Sequence, residues 1–368
     1  MTAPTVVAVL KPERLVVRFI GEGEREGWNE AVASLPTGHM LQTYEWGELK
    51  GRLGWQPIRL LFEREVRPVA AACVLKRKVP LGPFSILYAP KGPAVDPADA
   101  QDLRSVLDAL ADLAKRERAI FLRIDPDITC DDSVSQKALA EAGFRPAFEQ
   151  VQFKNTMVIG LTRPEEELRR RLSKSTRYQT NVAVRSGVTV SEGSNVDLPL
   201  FYDMYRETAK RDAFIIRGYD YYEPAWRLFL ERRMARLFMA WHDGQALAGC
   251  LIFLHGTKAW YMYGASRSEG REARPSQLLH WQVMLSLKEQ GIANYDLWGL
   301  PNVMREDHPM WGLVQFKRGL GGELRQWIGA YDYVANPSGY FLYKQVLPRF
   351  LALWRRMLRL PSAPEEKT

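Results

Sequence analysis

Between residues 55 and 125 the apolar positions fall into short runs followed by one periodic stripe. The pattern predicts strands at 57–63, 68–76 and 83–88, with a turn at 63–67 and a Pro/Gly-rich loop at 89–93. A helix follows, with Asp96 as its N-cap, Pro97 at its first position, and Leu103, Val106, Leu107, Leu110 and Leu113 on one face. A short apolar strand at 119–124 then ends at Asp125-Pro126. Residues 236–298 repeat this order. Strands are predicted at 237–241, 246–254 and 259–263, with turns at Asp243-Gly244 and Gly256-Thr257. A polar loop at 266–274 leads to a helix opened by Pro275, and a last strand lies at 293–297. The residues themselves barely match, so the repeat is one of pattern. It predicts two similar α/β (α+β) domains joined near residues 159–163, with chance recurrence of a common order as the alternative.

At the join, Thr162 and Glu165 are spaced as a capping box, and Glu165, Glu166 and Glu167 suit the first turn of a helix. Arg169, Arg170, Arg171, Lys174, Arg177 and Arg185 follow on what reads as one basic helix. It is either a solvated face or a surface for nucleic acid or phosphate. A C-terminal helix over about 340–358 is both apolar and basic. It fits packing on a domain, or resting on an anionic membrane surface. Residues 361–368 read as a disordered tail.

Lys and Arg number 51 against 43 Asp and Glu, a net charge of +8, which points to acidic partners without choosing among them. Cys73, Cys130 and Cys250 stand far apart and five His do not cluster with them, so no metal site or disulfide framework is expected. No stretch reaches the ~20 apolar residues of a membrane span, and the N-terminus lacks the pattern of a signal peptide. A cytoplasmic protein is the expectation.

Esterase, zincin, P-loop and dinucleotide-binding motifs are missing. Residues 267–272 (RSEGRE) make half of the pyrophosphate loop of acetyl-CoA-dependent N-acetyltransferases. Glu272 stands where that loop wants a small residue, and its carboxylate would repel phosphate. No cofactor is therefore expected. In residues 312–323 (GLVQFKRGLGGE), Phe316 and Lys317 precede Gly319, Gly321 and Gly322. Such glycines allow a backbone to approach a ligand closely, and a lysine there can present its ammonium to an oxyanion or phosphate. A hairpin turn with a surface lysine is the alternative. Alternation places Tyr261 and Tyr263 on one strand face, where they could line a pocket. Asp125 ends a strand, a position that often faces ligands, or it caps the turn with Pro126.

Taken together, several segments resemble the Fem-type (FemABX) peptidoglycan aminoacyltransferases over about residues 38–350. They are QTYEWGELKGRLGW (42–55), FLRIDPD (121–127), KSTRYQTNVAVRSGV (174–188), ETAKRDAFIIRGYDYY (207–222), YMYGAS (261–266), PSQLLHWQ (275–282), YDLWGLP (295–301) and GLVQFKRGLGGELRQWIGAYD (312–332). The resemblance implies tandem N-acetyltransferase-like (GNAT) domains at 1–160 and 161–332, with the C-terminal helix 333–360 returning to the first. Residues 190–201 leave no room for the coiled-coil arm of some members.

The implied activity is transfer of an amino acid from aminoacyl-tRNA to an amine on the peptide stem of a UDP- or lipid-linked peptidoglycan precursor. The resemblance gives Lys317, beside Phe316, the role of stabilising the tetrahedral intermediate. Lys50, Arg217, Tyr221 and Tyr263 look like residues that hold the acceptor, and Asp125 like a first-domain base. Without the arm, tRNA contact falls to Arg170, Arg171, Lys174 and Arg177. The alternatives are a coenzyme-A-dependent N-acyltransferase of a small amine and a non-enzymatic tRNA-binding protein.

Overall fold

The protein is described from a computed structural model that covers residues 15–79 and 82–346. Fifteen strands occur among the described residues. The first seven are β1 (Val16–Phe19), β2 (Gln56–Arg64), β3 (Arg67–Lys78), β4 (Ser85–Ala89), β5 (Ala94–Val95), β6 (Ala119–Ile124) and β7 (Phe144–Pro146). Then come β8 (Asn155–Gly160), β9 (Thr189–Gly193), β10 (Ala235–His242), β11 (Gln245–His255), β12 (Lys258–Ser266), β13 (Asn294–Asp296), β14 (Glu323–Gln326) and β15 (Tyr331–Val334).

They form two sheets of matching design. The first runs β1-β2-β3-β4-β6-β15-β7, with β5 beside β3; the second runs β14-β8-β13-β12-β11-β10-β9. In each half three antiparallel strands lead to one parallel pair, β4 with β6 and β12 with β13. The duplicated pattern in the sequence is therefore a duplicated fold of GNAT type. The hairpins follow from local chemistry: Asp243 and Gly244 both take positive φ, the geometry of a tight turn that matches strand twist.

The predicted stripe is buried as read. Leu103, Val106, Leu107, Leu110 and Leu113 of the Ala100–Arg116 helix pack on the first sheet. Its N-cap, however, is Asp99, whose side chain accepts from Asp102 N at 2.8 Å; Asp96 instead accepts from Ala98 N in the preceding turn. The predicted capping box also fails. Pro164 is the N-cap of the Glu165–Arg171 helix and no side chain caps it.

The single basic helix is two. Leu172 is buried and its extended backbone ends the first; Ser173 then caps a second, Lys174–Arg185, by accepting from Thr176 N. Between that helix and the Leu198–Arg211 helix lie only β9 and a short 3-10 turn.

The domain boundaries also move. β8 pairs with β13 and β14, so the second sheet begins at Asn155 rather than after residue 160. Conversely, β15 pairs with β6 and β7 of the first sheet. Residues 331–334 are thus a strand, and the expected helix from 333 starts at Pro337. The Pro337–Phe341 helix and the turn after it pack on β6, with Phe121 5.4 Å from the rings of both Tyr340 and Tyr343. The rest of that helix, from 347, and the tail at 361–368 lie outside the described residues.

A buried ion pair ties β15 to β6. Arg123 donates twice to Asp332, at 2.7 and 2.8 Å, and Tyr340 Oη adds a bond of 2.8 Å. Asp332 is fully buried. Removing one partner leaves the other charge buried and uncompensated. Asp332→Ala is expected to cost about 3–5 kcal/mol in chemical denaturation. A loss under about 1 kcal/mol, the range of an exposed pair, would show that this contact does not hold the exchanged strand.

Candidate active site

The parallel pair β12/β13 is in register over only three residues, Lys258–Trp260 against Asn294–Asp296. Beyond Trp260 the first strand continues and the second ends. The loop after Asp296 emerges in this opening. Asp296 accepts from its own loop, at Trp298 N (2.7 Å), and from Thr156 Oγ1. Trp298 takes a left-handed conformation (φ 59°), a cost that an L-residue bears only where its surroundings fix it. Gly299 lies so close to the Phe153 ring that a Cβ would overlap it.

Lys317 fixes that loop. It stands in the last turn of the Trp311–Gly319 helix and is 3% exposed. Its Nζ donates to Trp298 O at 2.9 Å and Gly299 O at 2.7 Å. It is not the surface lysine of a hairpin. Burial among neutral acceptors pushes it down to about 7, with Asp296 opposing that shift. An ammonium has three N–H groups, and two are used here. Phe316 packs edge-on to His280 at 5.4 Å, and Tyr261 lies at 4.5 Å from the same imidazole.

The first half supplies the facing wall. Asp125, at the end of β6, accepts from Tyr88 Oη at 2.8 Å and from Lys91 N. Neither bond is the predicted turn cap on Pro126. Burial raises Asp125 to about 6 despite Lys91. Lys91 is itself buried and pairs with Asp127 at 2.9 Å. The two half-sites enclose a cavity of about 10 Å³, lined by Lys91, Asp127, Thr156, Asp296, Trp298 and Trp327, among others. That is room on the scale of one water molecule. Lys317 and Asp125 each stand one step behind its walls. Asp296 lines it, and burial raises that carboxyl to about 6 as well.

A second group lies on the other face of the second sheet. Tyr261 and Tyr263 do not share a face. The register with β11 shifts at this point, so that Ile252 opposes Tyr261 and Leu251 opposes Tyr263. Met262 is the extra residue of a β-bulge, which breaks the alternation. Tyr263 therefore packs with Tyr222 (5.7 Å) and Trp226 (5.3 Å), away from Tyr261. Around this aromatic floor the two halves bring cations together. Lys50, from the first half, sits over Trp46 at 4.6 Å, and Arg217, from the second, over Tyr221 at 4.8 Å. Burial first, and then Arg217 and Arg77, hold Lys50 below the usual lysine range. Mutual repulsion of this kind suits a site awaiting an anion.

The expected tRNA residues divide. Arg170 and Lys174 are exposed. Arg171 pairs with Glu323 at 2.5 Å. Arg177 spends its Nη1 on the carbonyls of Arg170 and Leu172, both at 2.8 Å, where it caps the preceding helix. No group of three or more potential metal ligands occurs among the described residues.

Sequence reasoning passed over Lys91, Asp127, Asp296 and Trp298. Their signal was positional: Asp125 and Asp296 end equivalent strands of the repeat.

The FemAB family model matches residues 24–244 and 234–347, most of the chain. The chain belongs to the FemAB family. Its class is that of the aminoacyltransferases. The lipid II:glycine glycyltransferase of Staphylococcus aureus (strain USA300) is 26% identical over 392 aligned positions, covering 86% of this chain and 93% of that protein. The crystal structure of FemX superposes with a TM-score of 0.83 at 25% identity, over 90% of this chain and 100% of that one. A tandem GNAT protein from the clavulanic acid biosynthesis pathway (TM-score 0.51, 14% identity, 88% and 99% covered) shares the fold.

Folding lowers the Lys317 pKa, so the unfolded chain binds the extra proton between about pH 7 and the ordinary lysine range. This group's contribution to stability therefore rises with pH across that window and is lost as pH falls towards 7. Heteronuclear NMR of the Lys317 Nζ should give a midpoint near 7, and Asp296→Asn should move it lower. A midpoint near 10.5 would show the ammonium to be solvated.

Proposed function

We propose that this FemAB protein transfers an amino acid from aminoacyl-tRNA to an amine on the peptide stem of a lipid-linked peptidoglycan precursor. The observation that carries the reading is the paired cation site over an aromatic floor, Lys50 from one half and Arg217 from the other. The relative in Staphylococcus aureus is named for lipid II, a lipid-linked acceptor. Lys50 and Arg217 are suited to its phosphates, and the guanidinium can bind two oxygens at once. Tyr221 and Tyr263 would flank the groups next to them.

An aminoacyl ester is already activated. The enzyme needs to hold the amine against the ester carbonyl and stabilise the oxyanion that forms. Positioning supplies about 7–11 kcal/mol of such a barrier and an oxyanion donor about 2.7–4 kcal/mol. Lys317 stands one step behind the cavity wall, and its charge there, with the Trp298–Gly299 loop that it holds, would stabilise that oxyanion. A lysine poised near neutrality becomes more fully charged as negative charge develops beside it. The attacking amine must also lose a proton. Asp125 has backbone and phenol donors on both oxygens and stands behind the cavity wall. Asp296 lines the cavity, and we assign it the role of base: it would take the amine's proton as the C–N bond forms and pass it to the departing ribose oxygen of the tRNA as the ester C–O bond breaks. The exposed Arg170 and Lys174 would contact the tRNA, with Arg171 and Arg177 holding the two helices that carry them.

Two contacts speak against coenzyme A. Glu207 accepts from Ser268 N at 2.6 Å in the second-half loop, and Asp125 from Lys91 N in the first. Carboxylates of the protein thus occupy backbone donors that a pyrophosphate would need.

A transfer assay with a mixed pool of charged tRNA and labelled lipid-linked precursor tests the reading. Lys317→Ala is expected to lower turnover at least ~100-fold while acceptor binding stays close to wild type. Near-normal turnover would remove the oxyanion role. Arg217→Ala should raise the acceptor KM about tenfold or more with the fold intact; an unchanged KM would take Arg217 out of the site. The profile of kcat/KM against pH should climb through about 6, as Asp296 ionises, and decline above about 7, as Lys317 loses its proton. Asp296→Asn should abolish the acid limb, and an acid limb that survives this change would return the base role to another group.

A further inference from the structure

Two charged groups on the cavity wall have no part in the transfer described above. Lys91 follows β4 and Asp127 follows β6, so both leave the parallel strand pair of the first half. Asp296 ends β13, in the parallel pair of the second half. All three line the same water-sized space. Lys91 is set there by its backbone. It takes a left-handed conformation (φ 52°), and its N–H is held by Asp125. Its buried ammonium pairs with Asp127 Oδ1 at 2.9 Å, with the centre of the Trp327 ring 5.9 Å away.

The polar capacity of this wall is only partly used. The contact of Lys91 with Asp127 is an ion pair without hydrogen-bond alignment, so Asp127 Oδ1 is buried and accepts no hydrogen bond. On the opposite side, Thr156 Oγ1 and Trp298 N both donate to Asp296 Oδ1, and neither reaches Oδ2. A single water between them would have two carboxylates to donate to and one ammonium to accept from. The other lysines near Asp296 are committed to carbonyls. Lys317 holds Trp298 and Gly299, and Lys258 on β12 holds Pro36 and Gly38. Lys91 and Asp127 face Asp296 across the cavity with opposite effects: Asp127 opposes its ionisation and Lys91 favours it. Burial works against the charge on Lys91, but Asp127, Asp125 and Asp296 outweigh it and hold that ammonium above the usual lysine range.

We propose that Lys91 and Asp127 are positioning residues for Asp296: across the cavity, the ammonium favours the Asp296 carboxylate and the Asp127 carboxylate disfavours it, so that the first half decides whether the base of the second half is charged. The proposal rests on the reading that Asp296 is the base. It adds what makes that base competent. A buried carboxyl without a facing cation would still hold its proton at neutral pH and could not accept one from the amine. With Lys91 supplied by the other half, the base is ready only where the two halves meet.

The test is a carbon-13 NMR titration of the Asp296 carboxyl in the full-length chain, its signal assigned by its loss in Asp296→Asn. Wild type should titrate near 6. Lys91→Met should move the midpoint up by about one pH unit or more, and Asp127→Asn should move it down. Both substitutions break the same ion pair. A role confined to holding the two loops together would therefore move the midpoint in one direction in both variants, whereas an electrostatic role moves it in opposite directions. The acid limb of kcat/KM against pH should shift with the same signs.

Shifts in the same direction, or a midpoint that stays in place in Asp127→Asn, would overturn the proposal. Should Lys91→Met fail to fold, as a melting curve would show, Asp127→Asn decides alone: a lower midpoint supports the proposal, and an unchanged or higher one contradicts it. Failure of the functional reading is separate. An acid limb that survives Asp296→Asn removes the base role, and a precursor that is no substrate removes the reaction, yet the NMR titration needs neither.

Discussion

The last strand among the described residues returns to the sheet of the first half. β15 follows the second half in the chain but pairs with β6 and β7 in the first sheet, whereas β8 opens the second sheet. The first half cannot complete its own sheet alone. That return ties the halves along a seam that the ends of β6 and β13 face, and the Arg123–Asp332 pair fixes the returning strand at the cost of a buried charge on each side. The seam is then filled by groups from both halves. His39 of the first lies between Trp260 and Trp298 of the second, at 4.5 and 5.5 Å. Lys258 of the second donates to the carbonyls of Pro36 and Gly38 of the first.

The chemistry follows from that arrangement. Because the β12/β13 pair parts early, a strained loop fills the gap, and because it is strained it needs an internal support. Lys317 supplies that support through two carbonyls. The same burial that makes it a good support lowers its pKa to about 7, so that position and the proposed reactivity would have one cause. The cations that would receive the acceptor also come from both halves, Lys50 from the first and Arg217 from the second.

Much of the fold was legible in the sequence because it rests on period. The apolar runs of β2, β3, β10 and β11 come from burial on both faces of the sheets, the stripe on the Ala100–Arg116 helix from burial of one face, and both leave a readable pattern. What was missed depends on pairing between distant segments. β8 and β15 are short, and their sheet assignment is a tertiary fact. The β-bulge at Met262 turns Tyr261 away from Tyr263 without changing the residues of the strand. Leu172 ends a helix because it is buried, not because of its propensity, which favours helix. At the proposed site, Lys317 stood out through the glycines that follow it, and Arg217 and Tyr221 through the resemblance. Lys91, Asp127 and Asp296 carry no motif and become visible only when the two strand ends face each other.

The central claim is that one acceptor site is shared by the two halves. A double-mutant cycle on binding of a soluble acceptor analogue, with Lys50→Ala and Arg217→Ala singly and together, tests it most directly. Two cations holding one pyrophosphate should show a coupling of about 1 kcal/mol or more. Effects that simply add would mean that the two residues serve separate sites, and would contradict the account.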